Sequence, residues 1–311
     1  MTVLKTSMRN FFAHKGRMAL SAIAVLLSVG FVCGTLVFTD TMNTTFDKLF
    51  AATSSDVTVS AKGASDSGET RSGNGRPPVM PASVVAQVRS ARGVKAAEGT
   101  VFSTSVTVVD AKKDNLSPSS GAPTIVGSWN GNDARTMKIT SGAAPQGAGQ
   151  VMVDADTAGK HHLKLGDEIA VISAVGTHGA RISGIASFQV TNPGAAIFYL
   201  DTRTAQQTLV GQTGVFTNVN VTAASGVSDA RLKQNVVSAL GGHYKVQTAK
   251  ETADANQKSV ESFMNVMKYA MLGFAGIAFL VGIFLIINTF SMLVAQRTRE
   301  IGLMRAIGSS R

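Results

Sequence analysis

The chain has 311 residues, 44% of them hydrophobic and 15% charged, enough for one or two domains with a sizeable core. Its net charge of +10 raises nucleic acid as a partner, but the placement of the basic residues argues against one. Cys33 is the only cysteine, which excludes a disulfide within the chain and leaves any large folded part to rest on its core.

Residues 1–17 carry Leu4, Met8, Phe11 and Phe12 at helical spacing with Lys5, Arg9 and Lys15 between them. This pattern predicts a short amphipathic helix on the inner membrane face, with an unstructured basic leader as the alternative. Met18 to Thr39 and Tyr269 to Gln296 contain no charged residue. Crossing a bilayer takes about 20 mostly apolar residues, so both windows qualify. A 17-residue lead-in is long for a cleaved signal, and Val32 stands where a lipoprotein pattern needs a small residue before Cys33. A retained anchor at 18–39 is the expectation. Within it Gly30 and Gly34 stand four apart, the spacing that lets membrane helices approach closely.

The flank before the first window carries +4 and the flank after the second +3, whereas the 229 residues from Asp40 to Lys268 carry only +3. Basic residues crowd the cytoplasmic ends of spans. Both termini are therefore expected inside and residues 40–268 outside.

In that outer part "TDTMNTTFDKLF" keeps an apolar face, so the first helix is expected to run on beyond the bilayer. "DVTVS" alternates like a strand, and Ser60 to Pro78 reads as a loop rich in Gly, Ser and charge. Pro81 to Arg92 is helical in pattern and Val101 to Val109 strand-like. A β-rich block, 111–215, follows. In it "GQVMVDADTAGKHHLKLGDEIAV" reads as strand, short helix and a Gly-Asp turn opening the next strand, with further strands at Arg181–Val190 and Ala196–Leu200. "TNVNVTA", "GVSDARLKQNVVSALGG" and "YKVQTA" then read strand, helix, strand. The predicted fold is thus two transmembrane helices plus an α+β extracytoplasmic domain. Its two β-α-β halves, 40–110 and 216–250, pair around an inserted, mostly β subdomain. No proline follows Pro193, and Glu251 to Gln296 predicts one helix of 46 residues, about 70 Å long. Its part at 251–268 would project from the bilayer as a stalk, and 269–296 would form the second span.

Catalytic chemistry has no candidates. Gly159–Lys160 is followed by His161 and lacks the upstream glycine of a phosphate-binding loop. His161, His162 and His178 lack metal-ligand spacing, and neither a G-x-S-x-G elbow nor a Cys-His pairing outside the spans occurs. No cofactor is implied, and ATP hydrolysis would have to come from another subunit.

The chain closes on "QRTREIGLMRAIGSSR". Ile301, Met304 and Ile307 fall on one helical side with Leu303 adjacent, and Glu300 and Arg305 are expected to point elsewhere. A short amphipathic helix over 297–311, ending at Gly308, suits docking into a groove on a cytoplasmic partner; a plain stop-transfer cluster of arginines is the alternative. These residues resemble the segment after the second span of FtsX/MacB-type (type VII) ABC transporter permeases. The N-terminal "LKTSMRNFFAHKGRMALSAIAVLLSVGFVCGTLVF" and the "GQVMVDADTAGKHHLKLGDEIAV" segment are similar to the same family, and the Ala-, Gly- and Thr-rich style resembles its actinobacterial members.

The resemblance implies a permease driven by a separate cytoplasmic ATPase dimer. Glu300, Ile301, Gly302, Leu303, Met304, Arg305, Ala306, Ile307 and Gly308 would form the coupling helix seated on that ATPase, the apolar four in contact and Glu300 and Arg305 as polar latches. The β-α-β halves would match the family's porter subdomain, and the stalk would transmit motion, for export or for mechanotransmission. The resemblance also implies four spans per unit, so this sequence is either a portion of a longer permease or a reduced form. A second permease half or a second copy would complete the bundle. The competing reading is a two-span sensor whose outer domain binds a ligand or protein.

Overall fold

The structure, a computed structural model, describes residues 15–53, 55–64, 76–119, 122–131, 133–189, 192 and 194–308. It forms two compact units, one of Met1–Met42 and Glu261–Arg311, the other of Asn43–Val260.

Helix α1 spans Lys15–Thr53, 39 residues without a proline, about 58 Å long. Thr35 and Thr39 turn their hydroxyls back along it and donate to the carbonyls of Phe31 and Thr35, at 2.8 and 2.9 Å. A hydroxyl satisfied inside its own helix needs no water, which suits an apolar surrounding. The helix does run on past Thr39, as its apolar face predicted. Of the amphipathic helix expected over 1–17, residues 1–14 lie outside the described residues and 15–17 open α1.

The second unit begins with β1 (Val57–Ser60), β2 (Met80–Pro81), α2 (Ser83–Arg89) and β3 (Val94–Thr100). A long excursion follows through β4 (Phe102–Ser103), β5 (Thr107–Asp110), β6 (Thr124–Ser128), the single turn α3 (Asp133–Thr136), β7 (Met137–Gly142), β8 (Gln150–Asp154), α4 (Ala155–Lys160), β9 (Glu168–Ile172) and β10 (Thr177–Phe188). It closes with β11 (Ala196–Leu200), α5 (Thr202–Ala205) running into a π-turn at Gln206–Val210, and β12 (Val215–Phe216). The chain returns through β13 (Asn218–Ala223), α6 (Asp229–Ala239), β14 (Lys245–Thr248) and α7 (Ala249–Ala306).

The two ends of this unit interleave. The smaller sheet has the order β14-β1-β13-β3 with every neighbouring pair antiparallel. Each β-α-β half therefore contributes two parallel strands that hold a strand of the other half between them, a split β-α-β arrangement. Val57, Val59, Val219 and Val221 pack with Val84, Val88, Leu232 and Val236 from α2 and α6. Burying each such side chain is worth about 1.5–3 kcal/mol, so neither half stands without the other.

The excursion folds into an eight-stranded mixed sheet, β4-β6-β11-β8-β10-β9-β5, with β7 also paired to β10. Its core gathers Val151, Val153, Ile169, Val171, Ile182, Phe198 and Leu200. Asp154, at the end of β8, is 1% exposed and has a structural role the sequence reading missed. One carboxylate oxygen accepts from the Thr157 N–H at 3.0 Å and caps α4; the other accepts from the Ile197 N–H at 2.8 Å and ties the cap to β11.

Two expectations need correction. The insert begins near residue 101, not 111, because β4 pairs with β6 and β5 with β9. The turn out of β3 fixes this switch: the Ser128 N–H donates to the Val101 carbonyl at 2.8 Å, and the Val101 N–H donates to Ser128 Oγ at 3.0 Å. In addition β2, β3, β6, β7 and β12 were not anticipated. β3, "VKAAEGT", lacks the β-branched alternation of a strand and forms because β13 pairs along nearly its whole length.

Helix α7 is longer than the 251–296 expected: 58 residues, about 87 Å. Its start is a capping box. The Glu251 N–H donates to Thr248 Oγ1 at 3.2 Å, and the Thr248 N–H donates to the Glu251 carboxylate at 2.9 Å. Lys233 of α6 donates to both Glu251 oxygens at 2.7 Å, fastening the new helix to the sheet's own helix layer.

Candidate coupling segment and membrane helices

α1 and α7 each carry a stretch long and apolar enough to cross a membrane, Val25–Thr45 and Met264–Leu303. Large apolar side chains such as Leu26, Leu27, Phe274, Leu280 and Phe284 are exposed around both helices.

Among the described residues of Val25–Met42, burial on α1 falls on Ser28, Val32, Thr35, Thr39 and Met42, and between Met264 and Thr289 of α7 it falls on a stripe that includes those two residues with Lys268, Met271, Ala275, Gly282 and Ile286. Alternating steps of three and four are the seam of helices packed nearly along one another. The two seams meet where Thr35 Oγ1 and Met271 Sδ stand 3.9 Å apart. Small residues at the tight points, Ser28, Thr35, Ala275 and Gly282, allow close approach where apolar burial gives no drive between helices.

Gly30 and Gly34 are not on that seam. Both are exposed, and nothing lies within 4 Å of where a Cβ would stand on either. They do not mediate the contact between this chain's two apolar helices. Ser28 and Thr35, which do lie on the seam, stand seven apart and flank the two glycines.

The terminal segment is not a separate helix. Arg297 to Ala306 continues α7 without a break. The helix stops at Gly308, whose φ of +88° suits glycine and whose N–H donates to the Arg305 carbonyl at 3.2 Å. Ile301, Leu303 and Ile307 are 57%, 58% and 79% exposed, and Gly302, Arg305 and Ala306 are exposed beside them. At about 100° per residue, positions 301, 304, 307 and 303 span an arc of about 160°. Position 305 falls about 40° outside that arc, so the exposed side chains of Ile301, Leu303 and Ile307 form one apolar stripe with Arg305 beside it.

Among the described residues no group of three His, Cys, Asp or Glu side chains stands together as a metal site. His178 Nε2 lies 2.7 Å from the Ala148 carbonyl, and His162 has a φ of +55° in the turn after α4.

A family model described as MacB-like periplasmic core domain matches residues 18–239, and one described as FtsX-like permease C-terminal matches residues 272–311. Over 106 residues the chain is 29% identical to an uncharacterized ABC transporter permease of Methanocaldococcus jannaschii, a match covering 32% of this chain and 26% of that protein. The chain thus matches about a quarter of that relative's length. Among solved structures it is similar to the periplasmic region of MacB from Actinobacillus actinomycetemcomitans, at 13% identity and a TM-score of 0.41 over 66% of this chain and 92% of that one. It is also similar to the extracellular domain of the noncanonic ABC-type transporter YknZ from Gram-positive bacteria, at 13% identity and a TM-score of 0.44 over 62% and 100%. The first family model alone covers well over half of the sequence. The chain belongs to the FtsX/MacB-like permeases: it is an ABC transporter permease component in which two apolar helices flank an α+β domain of the extracytoplasmic type.

Proposed function

We propose that this permease couples ATP hydrolysis by a separate cytoplasmic ATPase dimer to movement of its extracytoplasmic domain, for export or for mechanotransmission. Both termini lie in the cytoplasm, residues 269–296 cross the membrane, and the Glu300–Gly308 end of α7 seats on the ATPase. A second permease half or a second copy of this chain completes the membrane bundle. The chain supplies no catalysis; its part is to receive motion and pass it on.

The observation that carries this reading is the single unbroken α7. It begins in a capping box at the edge of the smaller sheet and ends in an exposed apolar stripe. A partner groove that takes an amphipathic helix reads such a stripe through side chains three and four apart. Two exposed isoleucines and a leucine in the last two turns, bordered by Arg305, are such a set.

The test is co-purification of the membrane-embedded protein with its ATPase. Ile301→Asp and Met304→Asp each place a charge in the stripe and are expected to reduce ATPase capture at least tenfold, while Thr298→Asp, at the edge of the segment, leaves it within twofold. Unchanged capture in both stripe variants refutes the coupling assignment.

A further inference from the structure

The four- and eight-stranded sheets of the extracytoplasmic domain have separate cores, and besides the short β2–β12 ladder two features join them. The first is the strand switch at residues 99–102 and 215–218. There the Thr217 N–H donates to the Thr100 carbonyl at 2.9 Å, and the Phe216 ring lies flat against Gly99. The second is a side-chain contact made by α3 and the turn before it. Gly131 rests on the carboxylate of Glu98 in β3, so closely that a Cβ on Gly131 would stand 2.9 Å from Glu98 Oε1. From the same turn Arg135 Nη2 donates to Thr222 Oγ1 of β13 at 3.0 Å.

Asp133 lies on this turn, between Gly131 and Arg135. Its Oδ2 accepts from the Asn130 N–H at 3.1 Å, its own N–H donates to Asn130 Oδ1 at 3.3 Å, and its carbonyl accepts from Thr136 Oγ1 at 3.1 Å. Glu98 faces it from β3 and Tyr199 from β11; Asp154, at the end of β8, faces the same Tyr199 ring. Arg135 is the cation on its own turn. Trp129 stands edge-on to Tyr199 with ring centroids 5.2 Å apart. Burial pushes the Asp133 carboxyl up to about 7, and the charge of Glu98 pushes in the same direction. Burial and the nearby carboxylates also raise Tyr199.

A carboxyl raised on folding favours the docked state most below its unfolded value near 3.8, and that advantage is lost as pH rises through about 7. Above that, Asp133 is ionised at a half-buried place where the nearby Glu98 acts against its charge. Only the α3 contact is exposed to this change, because the strand switch is built of backbone bonds and a ring.

We propose that α3 is a proton-operated latch between the two sheets: with Asp133 neutral the turn stays seated on Glu98 and Thr222, and with Asp133 ionised the paired carboxylates release it. The latch changes the angle between the sheets available to the domain and is independent of the coupling reading. It makes the domain's resting shape responsive to the proton concentration outside the membrane.

The experiment uses the full chain in nanodiscs with Cys33→Ser and spin labels at Ala134→Cys, on the turn, and Ser225→Cys, in the exposed loop after β13. Double electron–electron resonance is recorded from pH 5 to pH 9. One short, narrow distance is expected at pH 5, giving way to a longer, broader distribution with a midpoint near 7. Asp133→Asn is expected to hold the short distance at pH 9, and Glu98→Gln to move the midpoint to lower pH. A distribution that does not change with pH overturns the latch, as does the same transition surviving in Asp133→Asn. Should Asp133→Asn misfold, an unshifted midpoint in Glu98→Gln overturns it equally.

Discussion

Removing the Asp154 carboxylate should unfasten the larger sheet. Asp154→Ala strands two donors at once, the buried Thr157 N–H at the start of α4 and the half-buried Ile197 N–H on β11. A buried donor left without a partner costs about 1–3 kcal/mol, so the pair is worth about 2–6. Part of that is returned, because burial already raises the Asp154 carboxyl and deleting the group relieves its desolvation. A net loss of about 3 kcal/mol is expected, a large share of the 5–15 kcal/mol that holds a typical domain together. Trp129, the only tryptophan, packs in the cluster of Met137, Met152 and Tyr199 directly behind β8, so its fluorescence reports this region alone. With a urea slope of about 2–3 kcal/mol/M, the midpoint should fall by about 1 M or more. Asp154→Asn keeps one acceptor but turns an amide N–H toward the other donor, and should fall between. A shift in Asp154→Ala below about 0.3 M, under 1 kcal/mol on that slope, refutes the bridging role.

Two further outcomes follow from packing and charge. Gly99→Ala drives a methyl into the Phe216 ring, whose nearest atoms would stand 2.5 Å away, and should cost about 1–3 kcal/mol in the same urea assay. Adding Phe216→Leu in the same chain should recover part of that loss. Lys233 and the Thr248 N–H hold the Glu251 carboxyl below its ordinary value of 4.5, so the fastening of α7 to α6 is present above that value and is lost as pH falls through the lowered one. Amide protection at residues 249–254, taken relative to the intrinsic exchange rate at each pH, should therefore fall on acidification below about pH 4.5 in the wild type, and should be low already at neutral pH in Glu251→Ala. Exchange rates identical in the two proteins would remove Glu251 from the joint.

The sequence by itself determined the elements whose cause is local. "DVTVS" alternates and becomes β1 with Val57 and Val59 inside. "GVSDARLKQNVVSALGG" places Leu232 and Val236 four apart and becomes α6. The long stretch after Pro193 free of proline permitted the continuous α7, and basic flanks beside uncharged windows marked the apolar helices. Tertiary structure decided what depends on residues far apart along the chain. β3 has no strand signature of its own and exists because β13, more than a hundred residues later, pairs with it. β5 leaves the neighbourhood of β3 because β9 offers it an edge. Gly99 is a requirement only because Phe216 returns to lie on it. The first apolar helix holds two small-residue patterns, Gly30/Gly34 and Ser28/Thr35, and only the position of α7 selects the second. Asp133 and Glu98 are unremarkable surface letters until the two sheets bring them into one partly buried contact. Periodicity fixes which face of an element is apolar; which neighbour covers that face is a matter of which burial and pairing wins among the whole chain's surfaces.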